Sequence, residues 1–555
     1  MPLHRATADQ SCIDPLCPPV PPTVLTCTAP AAHGSPTPLT GHSVRPPAKG
    51  SPADEVRYYR GHGSPLRPVT YAPQRRKHRH CPLRSASSPG RSGAPAGCSE
   101  PSAGKKERIK PPELRLTSDP KLWRFANEYS LTLPRGPASH GVLGFHSNML
   151  PSNLPCEDRQ SSATCLAGRG GVLFGVFDGH TGPACAHAVS QRLFYYVAVA
   201  ALPLRTLAEL ERAVEEERAV TPLLEWHKYP QDLSHPNGGV TSFHSLRNYW
   251  QERLETEDEE DEEDEEEEVT RTTSALVSAF HRLDYDLSVE AQGLSLTSPL
   301  RVALSGCTAC VVHISNGVLH VANLGDSRAV LGVQEADGSW SAINLTNDHN
   351  AQNPEELQRI LGEHPAEQRT VVRHDRLLGL LLPFRAFGDV RFKWSVDMLS
   401  RVYETRPDVL SAVGEAVRTM PPHYLTPPYL SAEPEITRHR VGPADKFLVL
   451  ATDGLWELMH RQMVIQLVGD HLTGQSQSGT TLGDLQRLLL ERRGRVLSAP
   501  EDQNIATHLI RHALGDDGYG AVAPNRLAKM LSLPVDLARR YRDDITITII
   551  HLNEI

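Results

Sequence analysis

The chain lacks the cysteine spacing of a disulfide-stapled protein, and it lacks any long apolar run. Its ten cysteines follow no disulfide framework, and no Cys/His group has zinc-ligand spacing. No apolar run reaches the roughly 18 residues that predict a membrane-spanning helix. Strong net charge is also missing outside one segment. The net charge is −9, but the uninterrupted run Glu257–Glu268 supplies 12 negative charges, so the rest of the chain has a balance of −9 + 12 = +3. These absences exclude a small disulfide scaffold and leave no charge argument for nucleic-acid binding.

Residues 1–110 differ in composition from the rest of the chain. They are rich in Pro, Ser, Gly and Arg, poor in acidic residues, and show no sustained hydrophobic periodicity. Such a segment buries too little apolar surface to offset chain entropy, so we predict disorder. Its basic bias suits an organelle transit segment, but Asp9, Asp14 and early prolines interrupt an amphipathic presequence, and a plain disordered tail stays open. We expect one folded domain over residues 111–555.

Within residues 111–555, apolar patterns predict alternating strands and helices. A long helix is predicted at Pro183–Leu202, and the acidic stretch near 255–270 is predicted to be a disordered loop before a helix at Thr273–Glu290. The proline-punctuated stretch Leu399–Tyr429 is expected to be an irregular excursion. Turn pairs separate four further predicted strands, the pattern of an antiparallel meander: Ala303–His313, Val318–Asn323, Ala329–Gln334 and Trp340–Asn344.

Acidic residues stand at the ends of three predicted apolar strands: Asp178, Asp453 and Asp543. A single Asp-Gly pair would be an ordinary turn, but a charged carboxylate at the end of a core strand is costly unless a positive group meets it. Carboxylates and a backbone carbonyl suit hard cations such as Mg²⁺ or Mn²⁺. Two such ions can activate a water for in-line displacement at phosphorus, and His180 can protonate the leaving oxygen.

Seven short motifs follow one another along the chain: Glu157-Asp158, Val176–His180, Ser305–Ala309, Asn323–Arg328, Arg385–Asp389, Ala451–Trp456 and Asp543–Thr546. In this order they resemble the successive motifs of the metal-dependent (PPM, type 2C) Ser/Thr protein phosphatases. The resemblance runs from about Ser118 to the C-terminus. It implies an α+β fold, an αββα sandwich of two antiparallel sheets flanked by helices, with the metals in a cleft at one edge.

The resemblance also implies a metal-binding role for five residues. Asp178 would bridge two Mg²⁺ or Mn²⁺ ions, and Gly179 would offer its carbonyl oxygen. Glu157 would hold one ion directly or through water, while Asp453 and Asp543 would hold the other.

Further positions match the family with some departures. His180 matches the proposed general acid, and Asp326 and Glu457 match positions that hold a weaker third ion, although relatives usually have Asp at the latter. The arginine that grips the substrate phosphate in generic relatives is replaced here by Asn153. Arg159 is the residue we expect to take its place.

Other stretches resemble the pyruvate dehydrogenase phosphatases, a mitochondrial branch of the family. They are Arg192–Val197, Asn347–Ala351, Asp375–Gly379, Pro383–Asp389, Thr426–Tyr429 and Tyr541–Thr546. This branch implies hydrolysis of phosphoserine on the E1α subunit of pyruvate dehydrogenase, which activates the complex in the mitochondrial matrix. It also implies three partners or effectors: the lipoyl domain of the E2 core, Ca²⁺ for docking, and a regulatory subunit.

Two alternatives stay open at this point. The same chemistry would serve a PPM phosphatase that acts on other phosphoproteins in the cytoplasm. A catalytically inert pseudophosphatase that serves as a binding module is the other, and the intact set of acidic residues argues against it.

Overall fold

The computed structural model describes residues 127–133, 140–166, 170–220, 222–227, 239–256, 265–293, 297–414, 417–473, 502–517 and 521–552. All of them fall in one unit, Lys106–Ile555. The segment 1–110, with its predicted disorder and transit function, lies outside the described residues. Residues 257–264 of the acidic run also lie outside them.

The strands are, in chain order, β1 (Tyr129–Thr132), β2 (Val142–Leu150), β3 (Arg159–Cys165), β4 (Val172–Phe177), β5 (Gly179–His180), β6 (Leu224–Trp226), β7 (Gly306–Cys307), β8 (Ala309–Ser315), β9 (Val318–Leu324), β10 (Arg328–Gln334), β11 (Trp340–Asn344), β12 (Val372–Arg373), β13 (Arg376–Leu377), β14 (Phe387–Gly388), β15 (Glu435–Arg440), β16 (Asp445–Ala451) and β17 (Ile545–Leu552).

The α-helices are α1 (Ala184–Ala201), α2 (Leu204–Glu215), α3 (Gly239–Thr256), α4 (Glu265–Gln292), α5 (Thr297–Leu304), α6 (Pro354–Glu363), α7 (Val396–Thr405), α8 (Pro407–Val413), α9 (Asp453–Trp456), α10 (Arg461–Thr473), α11 (Ile505–Gly515), α12 (Pro524–Leu531) and α13 (Val535–Ala538).

Two six-stranded antiparallel sheets form the centre of the fold. The first sheet has the order β1-β2-β17-β16-β10-β11, and the second has the order β15-β9-β8-β4-β3-β6. A small three-stranded sheet, β14-β7-β5, and the hairpin β12-β13 lie apart from them. The small sheet matters for function because it carries His180.

Strand alternation explains how the two large sheets become the middle layers of a sandwich. Successive side chains of a strand point to opposite faces. In β17, Ile547 and Ile549 pack in the cluster formed with α10, α11 and α12, whereas Ile550 packs between the sheets with Phe145 and Phe174. Helices α1, α3 and α4 cover the other side of the second sheet. The four layers are those of the predicted αββα sandwich, so that prediction is confirmed.

Strand β4 is buried on both faces, which makes it a rigid support for Asp178. Phe174 and Val176 face the first sheet, while Leu173 and Phe177 pack against the helices. Phe174 meets Phe145 edge to face, with ring centroids 5.0 Å apart. Burying one such side chain contributes about 1.5–3 kcal/mol, and Phe174→Ala would cost about 3–5 kcal/mol.

We predicted that four strands form one antiparallel meander, and that prediction is wrong. Strands β8 and β9 pair in the second sheet, whereas β10 and β11 pair in the first. The chain crosses between the sheets after Leu324, so Asp326 lies in a crossing connection and not in a hairpin turn. Turn residues predict where strands end, but they do not predict which sheet each strand joins.

Three element boundaries also differ from the sequence predictions. Helix α4 begins at Glu265, so the last part of the acidic run is helical; glutamate is a good helix former and is favourable at a helix N-terminus. The first predicted strand of the meander is interrupted, because α5 extends to Leu304 and β7 precedes β8. The predicted excursion contains most of α7 and all of α8; α7 begins after a Ser395 cap, just before the excursion, and α8 begins at Pro407.

The single CxxC pair of the sequence, Cys307 and Cys310, lies in the apolar interior, and both cysteines are buried and free of disulfides.

Over the ranges that the structure describes, no single helix is long and apolar enough to cross a membrane. Only α1 and α2 taken together, which are bent by 120° relative to each other, pass on length and composition.

Candidate active site

Four of the predicted site carboxylates meet at one edge of the sandwich. Asp178 follows β4, Asp453 follows β16, Asp543 precedes β17, and Asp326 lies between β9 and β10. Burial raises the pKa of Asp178 well above its usual value, and the charge of Asp453 raises it further. Burial and then the charge of Asp326 raise the pKa of Asp453 to about 8. Elements far apart in sequence therefore place their negative charges close together.

The pKa values of the other two carboxyls move in the same direction. Burial and the charge of Asp348 raise the pKa of Asp326 to about 6. Burial also raises the pKa of Asp543, although the guanidinium of Arg539 opposes that effect. A divalent cation would reverse these shifts, because it stabilises the ionised form of each carboxyl.

A close backbone contact joins the supports of Asp453 and Asp543. A Cβ atom on Gly454 would overlap the carbonyl oxygen of Asp544, so only glycine lets the two segments approach this closely. The Thr546 amide donates to Thr452 Oγ1 at 3.0 Å, and the Thr452 amide donates to the Thr546 carbonyl at 3.1 Å.

Glu157 lies at the same edge and faces the turn after β5. Its Oε1 accepts a hydrogen bond from the Gly182 amide at 2.5 Å. Burial raises the pKa of Glu157, while the Gly182 bond lowers it. Gly179 directly follows Asp178 and pairs with Cys307 in the small sheet. The structure thus brings five predicted metal ligands to one region.

Asp544, which the sequence reasoning left without a role, organises the loop before Glu157. Its carboxylate accepts hydrogen bonds from the backbone amides of Ser152, Asn153 and Glu157, the last two at 2.8 Å. The Asn153 side-chain amide also donates to it, at 3.2 Å. Asn153, which stands where relatives have a phosphate-gripping arginine, is therefore part of the support of Glu157.

Asp158 has a similar supporting role. Its Oδ2 accepts hydrogen bonds from the hydroxyls of Thr452 at 2.9 Å and Thr546 at 2.7 Å. Burial raises its pKa, and the charge of Asp544 adds to that effect. In the acidic pairs Glu157-Asp158 and Asp543-Asp544, the sequence analysis gave a role to Glu157 and Asp543 and missed Asp158 and Asp544. Their position next to a predicted ligand was the available signal.

His180 is held by an aspartate that the sequence reasoning also missed. His180 Nε2 lies 2.5 Å from Asp389 Oδ2. The small sheet aligns His180 with Gly306 and Gly306 with Gly388, just before Asp389. A Cβ on Gly306 would overlap both His180 Nε2 and the Asp389 carboxylate. Burial tends to lower the pKa of His180, but Asp389 outweighs it and the pKa is raised. The Arg385–Asp389 motif was the signal for Asp389.

The remaining predicted site residues differ in their surroundings. Arg159 Nη1 donates to the backbone carbonyls of Cys156 and Asp158 at 2.8 and 2.6 Å. Glu457 is exposed, and its charge helps to raise the pKa of Asp453. The role of Arg159 in phosphate binding and of Glu457 in a third metal site stay predictions.

The chemistry of this carboxylate cluster fits hard divalent cations. No three His, Cys, Asp or Glu side chains among the described residues are already arranged as a metal-ligand set. However, Asp453 Oδ1 is buried and has no hydrogen-bond partner in the part of the chain that the structure describes. A buried carboxylate oxygen without a donor is costly unless a cation meets it. This orphan oxygen, surrounded by other carboxylates, is what an oxygen-ligand site for Mg²⁺ or Mn²⁺ requires.

Comparison with known proteins agrees with this geometry. A family model described as Protein phosphatase 2C matches residues 235–514. The human protein named pyruvate dehydrogenase (acetyl-transferring) phosphatase 1, mitochondrial, is 55% identical over 444 residues, which cover 77% of this chain and 81% of that protein. Human phosphatase 2 of the same name is 48% identical over 429 residues, 75% and 78% of the two chains.

A more distant relative has the same name. The pyruvate dehydrogenase phosphatase 1 of Saccharomyces cerevisiae is 29% identical over 456 residues, which cover 74% of this chain and 68% of that protein. The family match, the similarity along most of both chains and the αββα sandwich agree with one another. They show that this chain belongs to the protein phosphatase 2C family, the metal-dependent Ser/Thr protein phosphatases.

Proposed function

We propose that the protein removes phosphate from phosphoserine of the pyruvate dehydrogenase E1α subunit and thereby activates that complex. The observation that carries the chemistry is the cluster of Asp178, Asp326, Asp453 and Asp543, with His180 at its margin. The substrate is proposed from two relatives, 55% and 48% identical to this chain, whose names give pyruvate dehydrogenase as their target.

Two Mg²⁺ or Mn²⁺ ions are proposed as cofactors. Glu157, Asp178 and the Gly179 carbonyl would hold one ion, and Asp178, Asp453 and Asp543 would hold the other. When bound, the two ions would supply an activated water and neutralise charge on the phosphoryl oxygens. Asp326 and Glu457 are proposed for a weaker third ion.

His180 is proposed as the general acid for the leaving seryl oxygen. The raised pKa of His180 keeps the imidazole protonated at a higher pH than an unperturbed histidine. Asp389 fixes the ring through the contact at Nε2, so the proton-bearing group keeps one orientation. The family resemblance leads us to expect Arg159 at the substrate phosphate.

The remaining proposals concern partners and location. A mitochondrial location is supported by the relatives, which are named as mitochondrial proteins, and the matrix is the proposed compartment. The lipoyl domain of the E2 core is proposed as a docking partner, with Ca²⁺ promoting the contact and a regulatory subunit joining.

The function is tested by dephosphorylation of phosphorylated E1 by the full chain with Mg²⁺, with and without the lipoyl-bearing core and Ca²⁺. We expect phosphate release in every Mg²⁺ sample and a lower KM when both additions are present. Equal rates on E1 and on an unrelated phosphoprotein would favour the broader phosphatase alternative. Absence of metal-dependent hydrolysis on any phosphoester would favour the inert binding module.

The location is tested by fusing residues 1–110 to a fluorescent protein. Import into mitochondria with shortening of the fusion is the expected result. A diffuse cytosolic signal at full length would favour the cytoplasmic alternative.

A further inference from the structure

The exposed guanidinium of Arg539 stands beside the predicted metal ligand Asp543. Arg539 Nη2 lies 2.6 Å from Asp543 Oδ2, and 54% of the Arg539 side chain remains exposed. Asp543, by contrast, keeps only 15% of its side chain exposed. The arginine thus reaches from the surface onto the margin of the carboxylate cluster.

The backbone around Arg539 is well supported. Helix α13 ends at Ala538, whose carbonyl accepts hydrogen bonds from the amides of Tyr541 and Arg542. Arg542 is buried, and its Nη2 donates to the Pro151 carbonyl at 2.7 Å. This anchor joins the segment to the loop that leads to Glu157, so Arg539 is presented from a fixed turn.

Three other arginines near the cluster are directed to protein acceptors. Arg159 donates to two backbone carbonyls, and Arg328 forms a two-pronged ion pair with Asp348 at 2.8 and 2.7 Å. Arg542 is turned inward. Arg539 combines contact with a site carboxylate and broad exposure, which is the arrangement that an incoming anion needs.

The charge of the substrate explains why a cation is needed at this position. A phosphorylated side chain brings a charge of about −1.5 to −2 toward a cluster of carboxylates. Arginine has a planar fork of five N–H donors that matches phosphate oxygens, so one edge can bind Asp543 while another faces the substrate.

We propose that Arg539 binds the phosphate of the substrate. Asn153, which replaces the phosphate-binding arginine of generic relatives, is uncharged and cannot supply this positive charge. The proposal rests on the phosphatase function proposed above and identifies a substrate-binding residue for it. Because Arg539 also pairs with Asp543, it competes with the cation for that carboxylate. Its removal should therefore weaken the binding of phosphate without weakening the binding of the divalent cation.

The test compares Arg539→Gln with Arg540→Gln, which removes the same charge from the neighbouring exposed position. Inorganic phosphate is the probe, and its inhibition constant is measured during hydrolysis of p-nitrophenyl phosphate by the Mn²⁺-loaded full chain. We expect Arg539→Gln to raise that constant about tenfold, as for loss of a hydrogen bond between charged groups. Arg540→Gln should change it less than about twofold, because an exposed charge outside the contact is screened.

A second measurement distinguishes a specific loss of phosphate binding from misfolding of the variant. Mn²⁺ is titrated calorimetrically into each protein without substrate, which gives a Kd independent of turnover. Arg539→Gln should bind Mn²⁺ as tightly as wild type or more tightly, whereas a misfolded variant would lose affinity for both ligands. Arg539→Lys keeps the charge but not the planar fork, so we expect its inhibition constant to rise by only about threefold.

Three results would overturn the proposal. One is an equal phosphate inhibition constant in Arg539→Gln and Arg540→Gln. Another is a parallel loss of Mn²⁺ and phosphate affinity in Arg539→Gln. The third is a large loss of phosphate affinity in Arg159→Gln with none in Arg539→Gln. In each case an active wild type leaves the proposed function intact, whereas a wild type without metal-dependent hydrolysis would refute the function itself.

Discussion

The two acidic pairs, Glu157-Asp158 and Asp543-Asp544, place chemically similar neighbours in different surroundings. Asp158 and Asp544 accept several hydrogen bonds from the protein. Their sequence neighbours face the cluster where Asp453 Oδ1 is buried without a hydrogen-bond partner among the described residues. Glu157 and Asp543 also accept hydrogen bonds, but they remain partly exposed, whereas Asp158 and Asp544 are each only 1% exposed. The difference teaches that burial among donors, and not residue type, separates the carboxylates that support the fold from those that stay open to the cluster.

The strongest test of this division is Asp178→Asn. The change removes a negative charge from the cluster, so we expect turnover at saturating Mg²⁺ to fall about a thousandfold, or about 4 kcal/mol in the barrier. The Tm in EDTA should stay the same or rise, because repulsion with Asp453 is removed. Retention of more than about a tenth of the activity, 1.4 kcal/mol or less, would contradict a central metal role.

The complementary change is Asp544→Asn, compared with Asp543→Asn. An asparagine at 544 presents an amide to backbone N–H groups, so we expect the free energy of unfolding in EDTA to fall by about 2–3 kcal/mol. Asp543→Asn loses an ion pair whose arginine is 54% exposed but keeps an oxygen for the Asp544 amide, so it should cost less than about 1 kcal/mol. Chemical denaturation measures both values; equal losses would erase the distinction between the neighbours.

Asp389 provides a third case for the comparison, because its carboxylate contacts the imidazole of His180 and not a cation or a backbone amide. Asp389→Asn should slow a phosphoserine peptide about tenfold, since a seryl leaving oxygen depends on general-acid catalysis. A phenolic phosphate ester, whose leaving group needs little protonation, should be much less affected. Rates on the two substrates with the same enzyme preparation provide the measurement, and equal losses would show that Asp389 acts on the fold alone.

A further expected effect concerns pH in the absence of metal. The pKa of Asp453 rises from 3.8 to about 8 on folding, so between these values the folded chain holds a proton that the unfolded chain has lost. The contribution of Asp453 to stability therefore falls as pH rises through this window, by up to about 1.4 kcal/mol per pH unit. Buried histidines such as His313 and His508, whose pKa values are lowered to about 4 and about 3, change stability in the opposite direction, so wild type is compared with Asp453→Asn, which keeps them. In EDTA, the Tm of wild type relative to that of Asp453→Asn should be lower at pH 8 than at pH 6, and Mg²⁺ should restore more stability to wild type at pH 8. A relative Tm that increases over that range would contradict the sign.

The sequence predicts those parts of the site that are carried by strongly patterned strands. Asp178 and Asp453 end apolar runs, and both lie at the cluster. The Arg385–Asp389 motif marks Asp389 as a candidate, but its contact with His180 joins residues 209 positions apart, and neither motif identifies the other as its partner. The crossing after β9 escaped prediction for a related reason, since strands buried on both faces carry no signal for the sheet that they join.

The position of β17 has a consequence for the order of events during synthesis. This strand is the last element that the structure describes, yet it lies in the interior of the first sheet, between β2 and β16. A nascent chain that still holds β17 in the ribosomal tunnel has exposed edges on both strands and lacks Asp543. Edges of this kind invite pairing with other chains, so a chain in which β17 has not yet joined the sheet is prone to aggregate. Catalytic competence then arrives together with closure of the sheet.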